Sequence, residues 1–159
     1  MESNIIFLAI VTPTKGGCNV WDYSDLNKIN LNNNYLNNIG TEWSNLIEDT
    51  TWKTSGYTTD DVVVKDLFTA EITNATKTYG PNDGTSKIGL MYASDYGFAA
   101  SSSAWTTKLS SYSSNTSKNW LYLGSDEWTI SRNSDTTSTA FCVNSTGFVS
   151  LDSVTISYA

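Results

Sequence analysis

The chain lacks histidine altogether and has only two cysteines in 159 residues. Without histidine the usual general base is missing, and so are Ser-His triads, Cys-His pairs and most catalytic zinc sites. Cys18 and Cys142 are too few for a disulfide scaffold and lack the paired spacing of a zinc site. The sequence therefore predicts no metal and no cofactor. A single Cys18–Cys142 bridge stays open, since spacing alone cannot place two thiols within bonding distance.

Basic residues and long apolar runs are scarce as well. The net charge of -7 would repel phosphate backbones, so nucleic acid is excluded as an expected partner. The apolar run at residues 5–11 is too short to cross a bilayer and follows Glu2 rather than a lysine or arginine. We therefore expect no transmembrane segment and find no convincing signal peptide.

Aromatic and small polar residues, in contrast, are abundant. Aromatics form 13% of the chain, with six tryptophans and nine tyrosines, and serine, threonine and asparagine supply most of the remaining polarity. This balance favours β-structure and a neutral surface, and the length is that of one domain.

Helical signals concentrate in the first half. A Ser-Asp pair at residues 24–25 is a good N-cap, and the Asn-rich residues 30–38 predict a break before a turn that ends at Gly40. Thr41 is expected to cap a second helix with Trp43 on its apolar side.

Strand and turn signals dominate the second half. Residues 74–86 predict turns, Ser94 is expected to cap a helical turn through Gly97, and residues 144–147 predict a hairpin connection with a glycine where positive φ is needed. Strands are predicted at residues 62–64, 88–92, 120–122, 128–130, 141–143, 148–151 and 154–158. The predicted class is α+β, with short helices in the first half and an antiparallel, hairpin-rich sheet in the second.

In several short motifs, the chain resembles a family of bacterial, mostly Gram-positive and gut-associated, surface-protein domains of unassigned function. These motifs are Asn19-Val20-Trp21, Asp25-Leu26-Asn27, residues 31–36, Trp52, residues 87–92, Ser94-Asp95-Tyr96-Gly97, residues 119–122, residues 127–132, Ala140-Phe141 and Gly147. The resemblance implies a C-type-lectin-like fold, related to that of sulfatase-modifying factors, in which the two termini pair as strands and a long excursion forms the ligand surface.

The same resemblance suggests the extent and location of the domain. It covers residues 19–159 as a single lectin-like domain, after a poorly assigned lead-in at residues 1–18. Family members usually continue into a closing valine-arginine-proline strand, so this chain is expected to be a fragment with an exposed sheet edge that favours self-association. The resemblance also implies an extracellular or cell-surface location.

The carboxylates suggest no catalytic site. Asp60-Asp61 and Asp126-Glu127 are adjacent pairs, but neighbouring residues on a strand point to opposite faces, so neither pair presents two carboxylates to one atom. Asp126, Glu127 and Asn133 flank Trp128 too loosely to guarantee a calcium site, whose several oxygen ligands must converge. The oxidative chemistry of sulfatase-modifying relatives would need an activated cysteine, and Cys142 lies in a predicted strand.

Aromatics are therefore the candidate ligand-binding residues. We predict Trp105, Tyr112 and Tyr122 as a recognition platform, because residues 101–103 and 110–118 are low-complexity surface loops and aromatic side chains bind both sugars and proteins. The alternative for Trp105 and Tyr112 is that each anchors its serine-rich loop to the rest of the protein. The other tryptophans, which lie in predicted regular elements, are expected in the core: Trp21, Trp43, Trp52, Trp120 and Trp128. Two roles remain open for Arg132: it binds a carboxylate ligand, or it pairs with Glu127 or Asp135.

The expected function is a non-catalytic recognition module that binds a glycan or protein ligand through loop residues. Two alternatives remain. One is a structural spacer or repeat domain in a large cell-surface protein. The other is a phage-type hypervariable receptor-binding protein, with variation concentrated at residues 101–118 and 133–139.

Overall fold

The computed structural model describes residues 19–73 and 83–154, apart from the side chains of residues 114–117. These residues form four α-helices, one π-helix and two antiparallel sheets, so the predicted α+β class is confirmed. The lectin-like topology stays a prediction. The lead-in at residues 1–18, the turn at residues 74–82 and the last predicted strand beyond Val154 lie outside the described residues.

Helices and helical turns occupy much of the chain before residue 119. A 3₁₀ turn at Trp21–Tyr23 precedes a π-helix at Leu26–Tyr35. The α-helices are α1 (Leu36–Asn38), α2 (Thr41–Ser44), α3 (Val64–Thr73) and α4 (Ala93–Ala99). Two further 3₁₀ segments cover Ser102–Ala104 and Leu109–Lys118.

The described strands form a two-stranded and a three-stranded sheet. The smaller sheet pairs β1 (Thr50–Lys53) with β2 (Asp83–Ser86). The larger sheet has the order β3-β4-β5, from β3 (Glu127–Arg132), β4 (Thr139–Val143) and β5 (Val149–Ser153). The predicted hairpin between β4 and β5 is confirmed, with Val143 opposite Val149 and Gly147 at φ 85°.

The predicted break in the Asn-rich segment is wrong. Helical structure continues from Leu26 through Asn38, although asparagine has poor helix propensity. Two asparagine side chains bond outside the helix instead of competing with its backbone: Asn27 Nδ2 donates to the Trp21 carbonyl (3.0 Å), and Asn32 Nδ2 donates to the Ile88 carbonyl (2.9 Å). The segment ends at Gly40, as predicted, with a φ of 81°.

Two predicted strands are replaced by other structure. Val64 begins α3, and Val63 makes only an isolated bridge to Lys108. Helix prevails there because Val64 and Leu67, three residues apart, both enter the core. Residues 88–92 belong to neither sheet, since the Asn32 side chain takes both backbone polar groups of Ile88.

Three further boundaries differ from the sequence prediction. Residues 83–86 form β2 rather than a turn, because Ser86 accepts from two indole nitrogens, on its hydroxyl and its carbonyl, and lies against the core. Residues 120–122 form a turn rather than a strand, since Asn119 Oδ1 accepts from the Leu121 amide (3.0 Å). Helix α4 does run through Gly97, but Tyr92 rather than Ser94 is its N-cap residue.

The core consists of two clusters. The larger lies between α3, α4 and the three-stranded sheet, and includes Leu67, Tyr96 and Phe141, each completely buried. Gly97 allows α4 to approach α3, because a Cβ at Gly97 would lie 2.5 Å from a Val64 methyl carbon. The smaller cluster joins three buried residues, with Trp52 and Trp128 packed against them: Trp21, Leu90 and Ile130.

Candidate recognition surface

Trp105 lies directly after the 3₁₀ turn Ser102–Ala104, with 40% of its surface exposed. Its indole nitrogen donates to the carbonyl of Ala100 (3.2 Å), which holds the ring in place. The Phe98 ring meets the Trp105 ring edge to face, with centroids 5.2 Å apart and planes at 88°. Phe68 on α3 meets Phe98 in the same manner at 5.8 Å. Trp105 is therefore part of an ordered row of aromatic rings.

We call Phe68, Ile72, Phe98 and Trp105 the aromatic surface. Phe68 is 41% exposed, and Ile72, one helical turn later on the same side of α3, is 48% exposed. Phe98, the middle ring of the row, packs against the larger core cluster and so connects the row to the core. The exposed serines at residues 101–103 lie between Phe98 and Trp105 in the chain. An apolar centre beside polar residues is the usual arrangement of a protein-binding site.

The prediction that Tyr112 is exposed is wrong. The side chain is only 1% exposed, and its hydroxyl donates to the carbonyl oxygens of Ala104 (3.1 Å) and Gly97 (3.4 Å). Burial raises the pKa of Tyr112 to about 12. Tyr112, like Leu109 at the start of the same 3₁₀ segment, turns inward and anchors the segment to the core.

Tyr122 is half-buried and does not join Trp105 in one surface. Its ring packs against the main core, and its hydroxyl donates to the carbonyl of Ser145 (2.8 Å). Of the three predicted binding residues, only Trp105 lies in the aromatic surface. Phe68, Ile72 and Phe98 were missed, although Phe68 and Ile72 are four residues apart on α3 and therefore lie on one side of it.

The expectation that the other five tryptophans are core residues holds only in part. Trp21 is buried and Trp52 and Trp128 are half-buried, but Trp43 is 66% and Trp120 is 78% exposed. Trp43 lies on α2, a helix of four residues that is too short to bury an apolar face. Trp120 lies in the turn after Asn119 and packs in no core cluster.

The adjacent carboxylate pairs serve separate partners. Asp60 accepts from the Leu151 amide (3.3 Å), whereas Asp61 pairs with Lys108 at 2.5 Å. Asp126 is exposed and accepts from the Ser145 amide (2.6 Å), whereas Glu127 is buried, which raises its pKa. Within residues 19–73 and 83–154, no group of three or more metal-ligating acids, histidines or cysteines is found.

Glu71 is a buried carboxylate that is not among the predicted site residues. It is 1% exposed, accepts hydrogen bonds from the hydroxyls of Ser94 and Ser131, and also accepts from the Ser94 amide at 3.3 Å. Burial raises its pKa from 4.5 to about 7, against the opposing effect of these hydrogen bonds. Its position on the buried side of α3, seven residues after Val64, was the available signal. Sealed from solvent, Glu71 caps α4 rather than meeting a ligand.

Cys142 and Arg132 are equally withdrawn from the surface. Cys142 is a buried free thiol that donates to Asp152 Oδ2 (2.8 Å), and burial raises its pKa to about 12, which makes the thiol unreactive. Its predicted alternative partner, Cys18, lies outside the described residues. Arg132 is 1% exposed, so it does not contribute to the surface of the protein.

None of the helices in the described ranges is long and apolar enough to cross a membrane. Comparison of the chain with known protein families, with curated proteins and with solved structures finds no match.

Proposed function

We propose that this chain is a non-catalytic recognition module of a bacterial surface or secreted protein and that it binds a protein ligand through the aromatic surface. The observation that carries the proposal is the ordered row from Phe68 through Phe98 to Trp105, whose two outer rings keep about two fifths of their area exposed. The bacterial surface location rests on the family resemblance.

The rigidity of the row favours binding. Phe98 contacts both outer rings and also packs against the main core, and Trp105 is fixed by its hydrogen bond to Ala100. Side chains that are already ordered lose little conformational entropy when a partner covers them. Tryptophan is also enriched among residues that dominate binding energy.

A protein ligand fits this surface better than a sugar does. The rings of the row meet edge to face at 77° and 88°, which gives a stepped apolar relief rather than one flat platform. Apolar side chains of a partner can fill such steps, and the neighbouring serines can hydrogen-bond at the margin.

The test is a binding screen of the purified full chain against a panel of extracellular-matrix proteins, mucins and epithelial membrane proteins. Each hit is measured again with Trp105→Ala and Ile72→Ser, and with Trp43→Ala as the matched control at an exposed tryptophan on α2. We expect the first two variants to weaken binding by about tenfold or more and the control to leave it unchanged.

Thermal melts of each variant separate lost binding from lost folding. A folded protein that binds no member of the panel, or one whose hits ignore both Trp105→Ala and Ile72→Ser, contradicts the proposal. The first of these results favours the structural-spacer alternative.

A further inference from the structure

A cleft of about 370 Å³ opens between the π-helix Leu26–Tyr35 and strand β2, and eight of its nine lining residues are polar or charged. We propose that this cleft binds a neutral saccharide of one or two rings. The cleft is separate from the aromatic surface, with which it shares no residue, so this proposal does not depend on a protein ligand. Its volume lies within the range of roughly 300–1,000 Å³ typical of small-molecule sites.

Four charged side chains line the cleft: Asp22, Lys28, Asp49 and Lys87. Among the described residues, none of the four forms an ion pair with another. Lys87 Nζ donates to the Ser44 carbonyl (2.9 Å), and Lys28 Nζ lies 5.8 Å from the Tyr23 ring centroid. Two acidic and two basic residues thus line one cleft.

This set of groups matches the chemistry of sugar hydroxyls. A carboxylate can only accept hydrogen bonds and an ammonium can only donate them, whereas a hydroxyl does both. A saccharide hydroxyl can therefore accept from a lysine of the cleft or donate to one of its aspartates, with a charge-assisted bond in either case. Because the two carboxylates balance the two ammonium groups, the cleft favours neither a strongly anionic nor a strongly cationic ligand. A neutral, hydroxyl-rich ligand fits best.

An exposed aromatic ring stands beside the charged groups. Tyr23 is 61% exposed, directly follows Asp22 in the chain and lies against Lys28. Lys28 Nζ lies over the face of this ring, an arrangement that favours the ammonium group and orients Lys28, whereas Tyr23 itself does not line the cleft. A Cβ at Gly84 on β2 would lie 3.1 Å from Asp22 Oδ1, so the glycine permits the carboxylate to lie against this strand.

The walls of the cleft are fixed before any ligand arrives. Asn32 from the π-helix accepts from the Ile88 amide (2.8 Å) and donates to the Ile88 carbonyl (2.9 Å), which joins the helix to the chain segment after β2. Asn32 also donates to Asn27 Oδ1 (2.7 Å), five residues earlier. Both residues lie on the π-helix, a rare geometry found frequently at functional sites. A preorganised cleft loses less entropy on binding.

The test uses the full chain on an array of neutral, anionic and cationic saccharides, followed by titration calorimetry of each hit. Asp49→Asn and Lys28→Gln remove one charge each from the cleft. Their matched controls are Asp135→Asn and Lys65→Gln, which are exposed residues outside it. Each cleft variant is expected to lose about tenfold or more in affinity, as one charge-assisted hydrogen bond implies, while the controls keep the affinity of the original chain.

Three results would overturn the proposal: no saccharide bound by the folded protein, binding restricted to charged saccharides, or binding that neither cleft substitution weakens. Saccharide binding that is lost in Trp105→Ala but kept in Asp49→Asn would assign the ligand to the aromatic surface and thus also overturn it. Failure of the protein-binding screen has no bearing on these outcomes.

Discussion

The Oε1 atom of Glu71 lies 2.5 Å from the hydroxyl oxygen of Ser131 and joins helix α3 to strand β3 inside the core. The same serine oxygen accepts from the Ala93 amide at 3.0 Å, and Glu71 accepts from the Ser94 amide. One buried carboxylate and one hydroxyl thus satisfy two amides at the start of α4, which would otherwise have no partner within the helix.

Glu71 should make the stability of the protein fall as the pH rises from about 4.5 to about 7. The unfolded chain releases this proton near 4.5 and the folded chain near 7, so the folded state binds more protons between these values. Raising the pH therefore favours unfolding across this window. The loss in the free energy of unfolding is about 3 kcal/mol, measured by urea denaturation at a series of pH values.

Glu71→Gln should remove that slope, because the amide carries no charge that burial could penalise. The matched control is Glu42→Gln, at an exposed position on α2. A slope that persists in Glu71→Gln, or that disappears in Glu42→Gln, would assign the pH dependence to another group.

Asn32→Ala should destabilise the protein by about 1–3 kcal/mol. The substitution removes both hydrogen bonds to the Ile88 backbone and leaves its half-buried amide and carbonyl without that partner. Chemical denaturation measures the loss, with Asn34→Ala at an exposed position of the same helix as the control. Equal stability of the two variants would show that the Asn32 bonds do not hold the π-helix in place.

Tyr112→Phe should lower the free energy of unfolding by about 1 kcal/mol without altering the binding of any ligand. The hydroxyl is lost from a buried site, but Ala104 O still accepts from the Thr107 amide, so that carbonyl keeps a partner. Tyr35→Phe, at a ring that is 42% exposed, is the control and should leave the melting temperature unchanged. A weaker affinity for a ligand in Tyr112→Phe at unchanged stability would restore Tyr112 as a binding residue.

Gly56→Ala should be severely destabilising, by about 3 kcal/mol or more. An added Cβ would lie 1.8 Å from the carbonyl oxygen of Arg132, which is backbone at the end of β3 and cannot rotate away. Gly40→Ala is the comparison, because no heavy atom lies within 4 Å of its added Cβ. An alanine at the φ of 81° found at Gly40 should lower the free energy of unfolding by only about 1–2 kcal/mol. Similar melting temperatures for the two variants would contradict the close approach at Gly56.

Local patterns predicted some elements well and failed at others for identifiable reasons. The hairpin at residues 141–151 follows from its own alternation and the glycine at position 147, because both strands and the turn are adjacent in the chain. The Asn-rich helix could not be predicted in this way. Its asparagines bond to Trp21 and Ile88, and the second of these is more than fifty residues away in sequence.

The candidate binding residues show the same division. Trp105 was identified from its serine-rich surroundings, yet Tyr112 in a similar setting is buried. The composition around an aromatic residue describes only its neighbours in the chain. The exposure of its side chain depends on the packing and hydrogen-bond partners that the fold brings to it. For Tyr112 these are the carbonyls of Gly97 and Ala104.

The sequence by itself determined the α+β class, the β4–β5 hairpin, the helix end at Gly40 and the absence of histidine chemistry. These depend on residue type and short-range spacing, which a single chain displays in full. Only the tertiary structure decided that Glu71 is buried with two serines, that Phe68 joins Trp105 in a surface, and that the π-helix forms one wall of a cleft. Each of these depends on contacts between segments distant in the chain, whose hydrogen-bonding and packing free energies outweigh local propensity.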